Sequence, residues 1–279
     1  MVSSRFNSIT GQIIQGAFTT NKIFLLFLLM ILTLTGCNFD FDRREKIIIG
    51  IDDEFAPMTF RDINDELVGF DIDLAEEAMK RLGVSAEFKS IDWNNKEAEI
   101  TSGNVDMVWS GCDITEKYKE YMIFSKSYME NRQIILIKNG KDFNINSEYD
   151  LAGLIVGTQA GSYSETYVEG NLKLKNSLRD LKTYSSYRNG FNALDDGEID
   201  ALIVDEIAGR YEMNKNPGKF ETFEVTVGPF TEFAMGFSKD NVELHDKTQK
   251  VFDEMIKDGT AQKISKKWFQ ADLIKSHSR

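Results

Sequence analysis

Hydrophobic and polar positions follow two alternating periods along most of the chain. Residues 46–51 (Lys-Ile-Ile-Ile-Gly-Ile) are a short β-branched run of the kind that forms a buried strand. Residues 71–82 then place Ile72, Ala75, Met79 and Leu82 at helical spacing on one face, and Gly83 follows as a stop signal. A second strand is predicted over 86–91, a short helix over 95–101 and a third strand over 105–109. Strands alternating with helices predict α/β units built on a mainly parallel sheet with crossovers.

The pattern recurs. Residues 102–109 (Ser-Gly-Asn-Val-Asp-Met-Val-Trp) are echoed by residues 196–203 (Asp-Gly-Glu-Ile-Asp-Ala-Leu-Ile), so Asp106 and Asp200 hold the same place in each. In both copies a glycine ends a helix and an apolar strand follows. Residues 150–157 likewise read as the opening strand of a second unit. Two copies are too few for a solenoid and suit a duplicated pair of lobes. Chain crossings near 138–141 and 227–232 would give a first lobe of 46–138 plus 231–279 and a second of 139–230. Terminal helices over 251–270 would return to the first lobe. Such a body turns the carboxyl ends of its strands towards a common crevice, where ligands bind. The loops after Ile51, Trp109, Gly157 and Val204 are therefore the places to look.

A different segment precedes the body. Residues 23–34 form an apolar run too short to span a bilayer comfortably and suited to the h-region of a secretory signal. The run ends in Leu34-Thr35-Gly36-Cys37, which resembles the lipobox of bacterial lipoproteins. That resemblance implies a signal peptide over 1–36, a lipid on Cys37 and a tether over 37–45. The body would then sit outside the cytoplasmic membrane, anchored by its N-terminal lipid. A signal-anchor helix with an incidental cysteine is the alternative. A lipidated Cys37 would leave Cys112 without a disulfide partner, as a buried, inert thiol.

Composition narrows the function classes. At 42% hydrophobic residues the chain has ample material for a core, and Lys+Arg 33 against Asp+Glu 45 gives a net charge of −12. That balance argues against nucleic acid as a partner. Cleavage before Cys37 would remove Arg5 and Lys22 and no acid, making the mature chain more acidic. Two histidines, His245 and His277, leave little for a metal centre or a Ser-His-Asp triad. No cofactor and no metal are expected.

Several motifs in series then carry a resemblance. Residues 53–60 (Asp-Glu-Phe-Ala-Pro-Met-Thr-Phe), 69–74 (Gly-Phe-Asp-Ile-Asp-Leu), Asp92-Trp93, 103–109, 110–115 (Ser-Gly-Cys-Asp-Ile-Thr), 124–128, 157–162 (Gly-Thr-Gln-Ala-Gly-Ser), 200–205 and the ending around Lys267-Trp268-Phe269 occur in one order. Together they resemble the polar amino-acid solute-binding proteins of ABC importers. The resemblance implies a two-lobed periplasmic-binding-protein fold (type II) with two crossover strands, which closes on its ligand by hinge motion. It implies a monomeric, non-enzymatic receptor for an amino acid or related small amine, working with an importer's membrane subunits.

The implied site is specific. Phe55 and Trp93 correspond to aromatic walls on either side of the ligand, ordinary core packing being the alternative. Gly111 corresponds to a carbonyl that accepts from the ligand's ammonium, and Asp205 to the carboxylate that pairs with it. For Asp205 a helix N-cap is the alternative reading. Gly161 and Ser162 open a helix, so their N–H groups would face a ligand carboxylate. Asp52 sits where some relatives contact the ligand side chain, a solvated acid being the alternative. Two positions depart from the family. Thr115-Glu-Lys-Tyr118 replaces T-x-x-R, so the arginine that clamps the α-carboxylate is missing, and Asp113 stands where relatives usually carry Thr. Tyrosine reproduces neither the charge nor the fork of a guanidinium.

Three readings of the ligand follow: a cationic or carboxylate-free amine, an ordinary amino acid held by helix-start amides and the hydroxyls of Thr115, Tyr118 and Ser162, or a degenerate site. Lys117, Lys119 and Arg132 are the nearby cations that could restore a carboxylate site. Alternatives to transport are a ligand sensor for a membrane partner and a dehydratase using Asp113 and Glu206.

Overall fold

Six apolar-leaning residues, β1 (Lys46–Ile51), start a parallel ladder and lead into a small antiparallel sheet of β2 (Glu54–Phe55), β3 (Thr59–Arg61) and β4 (Leu67–Val68). Next come α1 (Phe70–Leu82), β5 (Ser85–Ser90), a 3-10 turn over Trp93–Asn95, α2 (Lys96–Thr101), β6 (Met107–Asp113), α3 (Glu116–Lys119) and β7 (Met122–Phe124). The long β8 (Met129–Lys138) passes to the second half: β9 (Ile155–Gln159), α4 (Tyr163–Gly170), α5 (Leu172–Ser177), β10 (Asp180–Tyr184), α6 (Tyr187–Asp196), β11 (Ala201–Asp205) and α7 (Glu206–Lys215). The chain returns through β12 (Phe220–Ser238) and ends in α8 (Val242–Lys257) and α9 (Thr260–Phe269). This computed structural model describes residues 46–276. The signal peptide, Cys37 and the tether read from the sequence lie outside the described residues.

The strand order is β10-β9-β11-β8-β12-β6-β1-β5. β1 pairs in parallel with β5 and β6, and β9 with β10 and β11, whereas β8 and β12 run antiparallel to their neighbours. The result is the two-lobed α/β fold expected, each lobe a parallel ladder edged by the two long strands. One boundary differs. Residues 133–137 of β8 already pair with β11, from Gln133↔Asp205 to Ile137↔Ala201, so the chain enters the second ladder before Arg132 is far behind. The polar break at 138–141 marks the far end of that strand instead of the crossing. β12 pairs with β8 and then, from Phe233, with β6, and its register shifts between Val227 and Thr231. β6 also runs further than the sequence suggests. Cys112 and Asp113 pair with Ala234 and Phe233, so residues 110–113 are buried strand and not loop.

The internal repeat is physical. The Asp106 carboxylate accepts the Ile48 N–H at 2.8 Å while its own N–H donates to the Ile48 carbonyl at 2.8 Å. Asp200 does the same to Ile155, at 2.8 Å in both directions. Each aspartate thus stitches the start of one strand to the neighbouring strand, and Gly103 and Gly197 make the preceding turn with φ near +73° and +75°.

Beneath the first ladder lies a buried acid. Asp71, the second residue of α1, has no exposed surface; its Oδ2 accepts the Gly111 N–H at 2.7 Å and the Tyr128 hydroxyl at 2.8 Å. Trp109, Tyr128, Phe70 and Phe252 pack around it with ring centroids 5.9–6.4 Å apart. Burial pushes the Asp71 carboxyl up to about 7, against the opposing pull of the Gly111 N–H, Tyr128 and Trp109.

Two predictions follow from these braces. Removing the Asp106 or the Asp200 carboxylate by Asp→Ala leaves a strand N–H unpaired, so each variant should lose about 1–3 kcal/mol, read as a lower urea midpoint. No loss in either would show that the stitches are incidental. For Asp71 the folded state favours the protonated form. Its stabilising contribution is complete below the unfolded carboxylate range of about 4 and disappears as pH rises through about 7. Asp71→Asn keeps a neutral acceptor, so its stability deficit relative to the parent should shrink between pH 4.5 and pH 8. A deficit that is constant with pH would contradict a buried, titrating acid.

Candidate functional site

Between the lobes lies a small, tightly closed cavity. It brings together eight of the predicted site residues: Asp52, Phe55, Trp93, Gly111, Asp113, Tyr118, Ser162 and Asp205. Ser110, Gln159 and Tyr163 complete the lining, and Gly161 stands behind it. Wider grooves on the surface carry no comparable set of buried acids.

Asp52 follows β1, and its position is fixed on several sides. Its N–H donates to Ser110 Oγ at 3.1 Å, Oδ1 accepts the Glu54 N–H at 2.9 Å, and Oδ2 accepts Gln159 Nε2 from the other lobe at 2.5 Å. Burial pushes its carboxyl up to about 6, opposed by the Glu54 N–H and Gln159. Phe55 lies over Gly111. A Cβ on Gly111, at φ +52°, would come 2.4 Å from the ring, so glycine is needed both for the backbone conformation and for this approach. The Asp71 contact described above pins the other face of the same peptide.

The acid end of the cavity is built around Asn131, where β8 passes between the lobes. Its side-chain amide donates to Asp113 Oδ1 at 3.1 Å and also to Asp205 Oδ1. Thr231 Oγ1 donates to Asp113 at 2.5 Å, and Gln133 Nε2 donates to Asp205 at 2.7 Å. Ser164 Oγ in turn donates to Gln133 Oε1. Burial, and for Asp113 the neighbouring Asp205 charge, hold both carboxyls above the usual range. Asp205 occupies the residue before α7, but its side chain makes no capping hydrogen bond. Its carboxylate is turned to the cavity instead.

Tyr118 is aimed inward because Thr115 Oγ1 accepts the Tyr118 N–H at 3.0 Å and so starts α3. Its hydroxyl donates across the cleft to the Gly161 carbonyl at 2.8 Å.

Other expectations need correcting. The amides of Gly161 and Ser162 do not face the cavity as free donors. Gly161 N–H donates to Glu165 Oε2 at 2.7 Å, and Ser162 N–H closes a turn onto the Gln159 carbonyl at 3.3 Å. Ser162 instead uses its Oγ to accept the Glu165 N–H at 3.2 Å, capping α4. None of the three proposed cations lines the cavity: Arg132 grips Glu206 through two nitrogens at 2.5 Å, Lys119 pairs with Glu116 at 2.7 Å, and Lys117 is exposed. Glu206, tied to Arg132 and Arg210, does not share the cavity with Asp113, which removes the acid–base pair suggested for a dehydratase. Cys112 is a buried free thiol pushed up to about 12 by desolvation.

Sequence reasoning missed Lys96. Only 2% exposed, it places its ammonium 5.1 Å from the Trp93 ring centroid and 4.3 Å from that of Tyr118. Its spacing three residues after Trp93, across a single turn, is the signal that could have found it.

Comparison with known proteins places the chain in a family. Residues 47–271 match the family model of bacterial extracellular solute-binding proteins, family 3. The L-cystine-binding protein TcyJ of Escherichia coli K12 is 30% identical over 235 residues, covering 84% of this chain and 86% of its own. The histidine-binding periplasmic protein of Salmonella typhimurium LT2 is 32% identical over 238 residues, covering 82% of this chain and 89% of its own. Among solved structures, an ABC uptake transporter substrate-binding protein from Streptococcus pneumoniae with bound histidine superposes with a TM-score of 0.78 at 34% identity, covering 83% of this chain and 95% of its own. With fold, order of motifs and family model in agreement, the chain belongs to the family 3 bacterial extracellular solute-binding proteins.

Proposed function

We propose that this protein is an extracytoplasmic receptor that captures a small amine-bearing solute between its lobes and presents it to the membrane subunits of an ABC importer. The relatives named above are amino-acid-binding proteins. The observation that sets this chain's own preference is the cavity lining. It holds three buried acids, Asp52, Asp113 and Asp205, against one buried ammonium among the described residues, Lys96, which sits over the Trp93 and Tyr118 rings and is not part of the lining.

An α-carboxylate placed there meets like charge from whichever of these acids is ionised. At an effective dielectric near 20, one such charge at about 4 Å costs about 4 kcal/mol. An ammonium between Asp113 and Asp205 has the opposite effect. It favours the ionised form of both acids, which burial otherwise disfavours, so its binding strengthens as pH rises through the range in which they titrate. Phe55 and Trp93 add apolar and cation–π contact worth about 0.5–2 kcal/mol each. The ligand is therefore a cationic amine, such as a diamine or an amino acid whose carboxylate is absent or masked. Binding without chemistry is the function this cavity supports, and closure selects the guest because a solute touching both lobes adds to the stability of the closed form.

Anchoring rests on the apolar run at 23–34 followed by Leu34-Thr35-Gly36-Cys37. A diacylglycerol on Cys37 together with a further acyl chain holds a protein at a membrane far more firmly than one chain, at about 0.8 kcal/mol per buried CH₂.

Calorimetry with matched pairs tests the ligand class. Agmatine should bind more tightly than L-arginine, and putrescine more tightly than L-ornithine. Tighter binding of the parent amino acids would overturn the amine reading. In the bound state Asp205→Ala should weaken agmatine by more than about 2 kcal/mol. For the anchor, Cys37→Ala should move the protein from the membrane fraction to the soluble fraction, and unchanged fractionation would exclude lipidation there.

A further inference from the structure

The lobes approach closely at Gly161, and two side chains of the first lobe converge there on a single oxygen. Gly161 has φ +72°, and a Cβ at this position would lie 2.5 Å from Asn94 Cα. Its peptide is held from its own lobe by the Glu165 carboxylate, which accepts the Gly161 N–H at 2.7 Å. From the other lobe, Tyr118 Oη donates to the Gly161 carbonyl at 2.8 Å and Lys96 Nζ donates to the same oxygen at 2.5 Å. Lys96 Nζ also donates to the Trp93 carbonyl at 3.2 Å, on its own lobe.

Lys96 is an unusual residue to find in this position. It is 2% exposed, and no carboxylate oxygen lies within 4.0 Å of its ammonium among the described residues. Burying a charge without a counter-ion is unfavourable. Two carbonyl oxygens and two aromatic faces offset part of that, and one of the carbonyls is reachable only when the lobes are together. Parting the lobes would return Gly161 to water and remove from Lys96 and Tyr118 the acceptor they share.

We propose that Lys96 and Tyr118 act as a latch on the Gly161 carbonyl, a closing contact made entirely by protein atoms. Closure at this edge then requires no ligand group, and discrimination is left to the acid end of the cavity at Asp113 and Asp205. The proposal rests on the reading of the cleft as a closing binding site, but its first test needs no ligand.

The test uses Lys96→Met, Tyr118→Phe and the double variant in the full chain, with circular dichroism melting to establish that each is folded. Hydrogen–deuterium exchange of the unliganded proteins is followed in residues 92–96 and 159–163. Loss of a latch should speed exchange in both segments by about three- to tenfold, the range expected for one net hydrogen bond, and by more in the double variant. Unchanged exchange in all three would overturn the proposal. Calorimetry with agmatine and L-arginine forms the second arm. A latch predicts that each variant weakens both by the same factor, whereas a loss confined to L-arginine would make Lys96 the partner of a ligand carboxylate and overturn the latch. If neither compound binds the parent protein, the amine reading fails and the exchange measurement still decides the latch.

Discussion

A single amide holds two buried carboxylates at the point where the chain passes between lobes. Asn131 donates one proton towards Asp113 on the first lobe and one towards Asp205 on the second. Two acids in such surroundings resist ionising together, and the amide relieves only part of the strain between them. Positive charge placed between them would favour the ionised form of both. Much of the structure serves to keep this arrangement in place: β8 carries Asn131 and Gln133, β12 supplies Thr231, and the ends of β6 and β11 deliver the acids.

The opposite end of the cavity is organised by packing. Asp71 in the core pins the Gly111 peptide from below, and Phe55 covers it from above at a distance only glycine tolerates. Asp52, tied to both Ser110 and Gln159, joins that wall to the second lobe. The backbone at Gly111 is thus clamped between a buried acid and an aromatic ring. Rigid placement of this kind lets a small number of polar groups define an orientation for a ligand.

Much of this was legible in the sequence because it is written in local patterns. The periodicity of 71–82 and the glycine after it predict α1, and the echo of Asp106 in Asp200 shows the duplication that the matching backbone stitches make concrete. Eight predicted residues meet in one cavity. What was not legible depends on partners distant in sequence. Cys112 and Asp113 are strand because β12 pairs with them, and the first crossing falls early because β11 captures 133–137. Residues 161–162 look like free helix-start donors until Glu165 and Gln159 take them. Lys96 reads as an ordinary polar residue on a short helix, and only the fold shows which aromatic rings it lies against.

Gly161 and Asn94 meet backbone to backbone, with no side chain interposed on the glycine side. At this point the distance between the two segments is limited by main-chain atoms alone. Any residue larger than glycine at 161 would act as a spacer here, forcing the facing segments apart.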